Sequence, residues 1–188
     1  IRIGAAVEGF DPTTCIDEIT LRTSDRFTQF ALYAAAEAIA SAGLDPADLR
    51  GERTAVIIGT GVGGIGTLDE NCRAYYGGEK CDTFALPRTM PSSASSQISI
   101  VHGITGPVFT VTSACASASQ AIGLAATMIR TGIVDRVVTG GAEACLTAAT
   151  MRGWEYLRVL TPDACRPFSV GRNGMVIGEG AGICLLEA

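Results

Sequence analysis

Residues 109–132, FTVTSACASASQAIGLAATMIRTG, constrain this chain more than any other stretch. Residues 108–112 are mostly β-branched and aromatic, the composition of a buried strand, and Ser113 and Ala114 make a tight turn. Residues 117–130 then carry Ile122, Ala126 and Ile129 at helical spacing. Cys115 therefore falls at a strand-to-helix junction. A thiol there feels the positive end of a helix dipole and unpaired backbone N–H groups, which favour thiolate and hold a developing oxyanion. Its neighbours Ala114, Ala116, Ser117 and Ala118 are small and leave room for a substrate to reach the sulfur.

Three segments carry a resemblance: TSACASASQAIG, the later GGAEA, and CRPFSVGRNGMVIGEGAG near the end. In their order and spacing the chain resembles the β-ketoacyl-acyl-carrier-protein synthases, condensing enzymes of thiolase-like fold, along nearly its whole length. The resemblance implies an α/β fold, the N-terminal half of a five-layered αβαβα arrangement with a mixed, mostly parallel sheet. Residues 1–188 are then one half-domain, truncated at both ends, with the C-terminal half and its two catalytic histidines absent and the fragment alone inactive. The implied reaction is decarboxylative Claisen condensation of an acyl thioester, held on Cys115, with malonyl-carrier protein in fatty acid or polyketide-type biosynthesis. No metal or diffusible cofactor is implied, because the phosphopantetheine arrives on the acyl carrier protein. Two other readings stay open. A thiolase shares the early Cys and the GG-x-E turn, and a non-catalytic partner subunit of chain-length-factor type shares the fold but usually lacks the cysteine.

The same resemblance assigns further residues. Val62, in the loop GTGVGG, Thr150 and Trp154 line the acyl pocket, and Leu86 reaches toward the pocket of a neighbouring subunit in a homodimer. Arg22, with Arg26 beside it, and Arg158 face the carrier protein. The loop pattern at Gly59, Gly61 and Gly64 also satisfies G-x-G-x-x-G, the dinucleotide fingerprint. That fingerprint needs a second strand ending in an acidic residue. A polar helix over 67–76 and a loop over 77–87 follow instead, so a nucleotide site is not expected.

Elsewhere the residues speak for themselves. Residues 24–43 read as an amphipathic helix capped by Ser24, with Asp25 in its first turn, Gly43 at its end, and Phe27, Phe30, Ala34, Ala38 and Leu44 as the buried stripe. Residues 82–91, with two prolines, read as an irregular loop and residues 92–102 as a helix, with His102, the sole histidine, a structural residue at its end. A strand is expected over 135–139, with GGAEA turning off its end and Glu143 paired structurally to backbone or arginine. Irregular helix follows over 147–160, and a polar loop anchored by Arg166 and Arg172 leads to a last strand, ICLLE. Seven cysteines without C-x-x-C spacing suit reduced thiols better than a disulfide framework or zinc. A net charge of −5 argues against nucleic acid as partner. No apolar stretch spans a bilayer and no signal pattern opens the chain, so the expected location is cytoplasmic.

Overall fold

The computed structural model describes residues 3–188. In chain order the main elements are α1 (Glu18–Arg22), α2 (Arg26–Ala42), β1 (Thr54–Gly59), α3 (Ile65–Tyr76), α4 (Ala85–Thr89), α5 (Ser93–His102), β2 (Val108–Val111), α6 (Ser117–Arg130), β3 (Arg136–Ala144), α7 (Ala148–Tyr156) and β4 (Glu179–Glu187). The four strands form one sheet in the order β2-β1-β3-β4. Strand β1 pairs parallel with β2 and with β3, and β4 closes the other side antiparallel to β3. The sheet is mixed and mostly parallel, as expected.

Buried on both faces, β1 sends alternate side chains to two cores. Val56 and Ile58 pack with Phe27, Phe30, Ala31 and Ala35 of α2 and Ile98 of α5. Ala55 and Ile57 face the other way, onto Ala121, Ala125 and Met128 of α6. Helix, sheet and helix thus make three layers.

Several sequence expectations shift in detail. Asp25, and not Ser24, caps α2: its carboxylate accepts from the Phe27 N–H at 3.1 Å, while Ser24 lies buried one residue outside. The other carboxylate oxygen of Asp25 accepts from the N–H and hydroxyl of Thr67, at 2.9 and 2.6 Å, so one buried group ties the starts of α2 and α3. The stripe of α2 runs through Phe27, Ala31, Ala35 and Ile39, with Phe30 and Leu32 beside it; Ala34, Ala38 and Leu44 are only partly buried. Gly43 ends α2 in the left-handed region at φ 68°, as its type requires.

The segment 82–91 is not all loop, because α4 forms within it. Pro87 is its third residue, in the first turn, where a missing N–H costs no intrahelical bond. GGAEA does not turn off β3 but continues it, paired with β4 from Ala144↔Glu179 to Gly140↔Ile183 and beyond. β4 accordingly begins at Glu179, several residues before ICLLE. The loop ahead of it is anchored by Arg166 on Asp163 at 2.7 Å and by Arg172 on the Ser169 carbonyl at 3.2 Å. His102 is the last residue of α5, and burial lowers its pKa below the usual histidine value.

Candidate active site

The carboxyl ends of β1, β2 and β3 lie side by side, and the chain leaves β1 for β2 on one flank and reaches β3 on the other. Open α/β sheets bind ligands at such a switch point. Here the turn after β2 carries Cys115.

That turn is held in an uncommon conformation. Ala114 has φ 48°, a left-handed backbone that costs a residue with a Cβ about 1–2 kcal/mol. Hydrogen bonds surround it. The Ala116 N–H donates to the Ser113 carbonyl at 3.0 Å and the Ser117 N–H to the Ala114 carbonyl at 3.1 Å. The Ser113 N–H donates to Ser117 Oγ at 2.8 Å, and that hydroxyl donates to the Ala114 carbonyl at 2.7 Å. Cys115 is left exposed, just ahead of the 14-residue helix α6, whose N-terminus no side chain caps. The open N–H groups there present partial positive charge to whatever sits at the turn.

Gly59 makes the placement possible. A Cβ built on it would lie 2.4 Å from the Ser117 carbonyl carbon and 2.5 Å from the Ala118 nitrogen. Only a residue without a side chain lets the start of α6 rest on the end of β1.

Beside Cys115 opens a cavity of about 650 Å³, walled also by Val62, Thr150, Trp154, Glu143 and Cys145. Trp154 and Thr150 come from α7, where Thr147 caps the helix by accepting from the Thr150 N–H at 3.1 Å. Four of the residues expected at the site, Cys115, Val62, Thr150 and Trp154, are therefore brought to one cavity. The other three are placed elsewhere: Leu86 on α4, 78% exposed, Arg22 at the exposed end of α1, and Arg158 exposed just past α7 with φ 58°. Arg26 is engaged within the chain. Its guanidinium holds Glu179 at 2.7 Å and the Val7 carbonyl at 3.2 Å, and lies 4.7 Å over the Phe30 ring.

Two carboxylates sit at the cavity wall with opposite shifts. Burial raises the pKa of Glu143 above its ordinary value, although the Gly61 N–H at 2.7 Å, the Thr60 hydroxyl at 3.3 Å and the Val62 N–H act to lower it. These contacts fix the Val62 loop onto β3, so Glu143 pairs with backbone. For Glu179 burial also raises the pKa, but hydrogen bonds from Arg26 and the Val7 N–H, with the guanidinium charge, outweigh it and leave the carboxyl below its ordinary value.

Cys145 was not singled out by sequence reasoning. Its thiol approaches the Gly178 carbonyl at 3.9 Å, and burial pushes its pKa up. The signal was the alternation of Gly141, Glu143 and Cys145 toward one side, which a reading of GGAEA as a turn conceals. The glycines of GTGVGG serve close packing of protein on protein: a Cβ on Gly64 would stand 2.2 Å from the Arg88 carbonyl oxygen.

A mixed, mostly parallel α/β sheet with a cysteine at the strand-to-helix switch point and a largely apolar cavity beside it fits a thiolase-like architecture. Residues 3–188 match the family model of the β-ketoacyl synthase N-terminal domain, and the chain belongs to that family. It is 44% identical over 170 residues to nodulation protein E of Rhizobium leguminosarum bv. trifolii, covering 89% of this chain and 42% of that protein. Over 195 residues it is 36% identical to 3-oxoacyl-[acyl-carrier-protein] synthase 2 of Staphylococcus aureus, covering 100% of this chain and 47% of that one. Among solved structures, a β-ketoacyl synthase from Burkholderia phymatum superposes with a TM-score of 0.89 at 27% identity, over 99% of this chain and 48% of the other. The ishigamide ketosynthase/chain length factor superposes with a TM-score of 0.90 at 31% identity, over 97% and 46%. The chain thus spans about half the length of the relatives it matches.

Proposed function

We propose that the protein containing this chain is a β-ketoacyl-acyl-carrier-protein synthase with Cys115 as nucleophile. The Cys115 thiolate attacks the carbonyl of an acyl thioester, the carrier's phosphopantetheine sulfur leaves and takes up a proton, and the acyl group stays on Cys115. A malonyl thioester then loses carbon dioxide, and the carbanion so formed attacks the acyl-enzyme carbonyl. The C–S bond breaks, releasing a β-ketoacyl thioester and the Cys115 thiolate. In both steps the backbone N–H of Cys115 supplies one oxyanion donor at the start of α6.

The observation that carries this reading is the exposed thiol on a left-handed turn, at an uncapped helix N-terminus and open to the cavity. Val62, Thr150 and Trp154 shape the acyl end of that cavity, and Leu86, exposed on α4, reaches the site of a second subunit in a homodimer. Arg22 and Arg158 receive an acidic carrier protein, whose approach their local charge favours against the overall −5 of the chain. The chain forms the N-terminal half of the catalytic domain, the missing half supplies the groups that promote decarboxylation, and the enzyme works in the cytoplasm without metal or diffusible cofactor. The relatives' names support the class: one is a 3-oxoacyl-[acyl-carrier-protein] synthase, and a structural neighbour is a polyketide ketosynthase in complex with its acyl-carrier protein.

Intact-mass analysis of the full-length protein after incubation with a panel of acyl-carrier proteins tests the proposal. An acyl adduct that maps to Cys115 and vanishes in Cys115→Ala is the expected result. No adduct with any donor overturns the enzyme and favours a partner subunit of chain-length-factor type.

A further inference from the structure

We propose that Ser117 is a positioning residue, a hydroxyl staple that holds the Cys115 turn in its left-handed form. The inference rests on the reading of Cys115 as nucleophile and extends it to a residue whose hydroxyl is bonded to the backbone of the turn.

Three observations converge on this hydroxyl. It is almost fully buried, 3% exposed, at the first residue of α6. It spends its donor and an acceptor lone pair inside one turn, taking the Ser113 N–H at 2.8 Å and giving to the Ala114 carbonyl at 2.7 Å. The Ser113 N–H belongs to the peptide unit before Ser113 and the Ala114 carbonyl to the unit after Ala114, the residue at φ 48°, so the two bonds bracket Ser113 and Ala114. The bonds thus clamp the segment whose backbone is least able to hold itself, and Cys115 is the next residue along. The serine itself has nowhere to retreat, because its backbone rests against Gly59.

Removing the hydroxyl leaves the Ser113 N–H without its partner and the Ala114 carbonyl with the Ser117 N–H alone. Ala114 then relaxes toward negative φ, and the Cys115 sulfur and N–H turn away from the start of α6. Overall folding does not depend on this, since the cores form around Val56, Ile57 and Ala125, away from the turn. The expected signature is therefore a change in Cys115 chemistry without a change in the chain's other thiols.

The test compares wild type, Ser117→Ala, Ser117→Thr and the double variant Ala114→Gly/Ser117→Ala in the full-length protein. Single-turnover acylation from an acyl-carrier protein and peptide-mapped iodoacetamide alkylation are measured together. Ser117→Ala is expected to slow acylation of Cys115 about tenfold or more, the scale of a misplaced reacting group, with the KM for acyl donor little changed. Ser117→Thr, which keeps the hydroxyl, restores most of the rate. The double variant restores part of it, because glycine adopts the left-handed turn without a clamp. Alkylation of Cys15 and Cys72, both exposed and outside the site, stays constant throughout.

Wild-type acylation by Ser117→Ala, or loss of rate with a parallel change at Cys15 and Cys72, overturns the proposal. If Ser117→Ala fails to fold, the threonine and double variants decide: both active supports the staple, and an inactive threonine variant overturns it. If the wild type takes no acyl group, the enzyme reading fails by itself. Alkylation of Cys115 then still reads the turn, and a rate unaltered by Ser117→Ala rejects the staple separately.

Discussion

At the level of single residues the cavity is governed by what each polar group is bonded to. Glu143 is the clearest case, because it is half-buried and its carboxyl titrates above the ordinary value. Between the unfolded value, 4.5, and the raised folded one, the folded protein binds more protons than the unfolded chain. Stability contributed by this carboxyl is therefore full below 4.5 and is lost as pH rises through the folded pKa. The expected result is that the unfolding free energy of wild type relative to Glu143→Gln falls as pH rises above 4.5, read by urea denaturation at a series of pH values from acid to neutral. A difference independent of pH would mean that the folded carboxyl titrates at the unfolded value, and one that grows with pH would mean that the Gly61 and Thr60 hydrogen bonds outweigh burial. Such residue-level facts were only half legible in the sequence. A structural Glu143 paired to backbone or arginine was readable from its type and place, whereas the partner Gly61 lies 82 positions away and only the fold reveals it.

At the level of elements, the signals that survive are those that local physics decides. The α6 boundaries at 117 and 130 follow from small residues and a turn before them, and Gly43 ends α2 because the left-handed cap suits glycine. What failed was the phase of the helices. Ile122 is 38% exposed while Ala121, Ala125 and Met128 are buried, because those three face Ile57 of β1 and Val137 of β3. Hydrophobicity alone favours the isoleucine. GGAEA similarly reads as a turn by propensity, yet pairing with β4 holds it extended. The seat of α6 on β1 gives a prediction at this scale. Gly59→Ala forces a methyl to within 2.4 Å of the Ser117 backbone, so the helix start lifts or β1 bends. Overpacking of this kind costs about 1–3 kcal/mol, and here it also displaces Cys115. Gly59→Ala should lower the denaturation midpoint and slow acylation together, in contrast to Ser117→Ala, which slows acylation with little change in midpoint. A Gly59→Ala protein of wild-type stability and rate would show that the contact between β1 and α6 is loose.

For the whole molecule, the exposed surface itself carries information. The chain presents 10445 Å² to solvent, whereas a compact monomer of 19.4 kDa exposes about 8500 Å². Part of the excess is strongly apolar: Phe168 and Val170 in the loop before β4 are fully exposed, and Leu86 and Tyr156 are 78% exposed each. Buried apolar surface is worth about 25 cal/mol per Å², so a surface of this kind gains substantially from a cover. In the proposed enzyme that cover is the other half of the domain and a second subunit. Residues 1–188 expressed alone should then bind the dye ANS more strongly, per mole, than the full-length protein and should elute from size-exclusion chromatography as aggregates. Substituting Phe168 and Val170 together with serine should reduce dye binding by the short chain. The same pair of substitutions in the full-length protein should instead destabilise it, because there the two side chains leave a packed interface. A short chain that stays monomeric and binds no dye would refute this account of the apolar surface, and the loop before β4 would then be solvent-facing in the whole enzyme too.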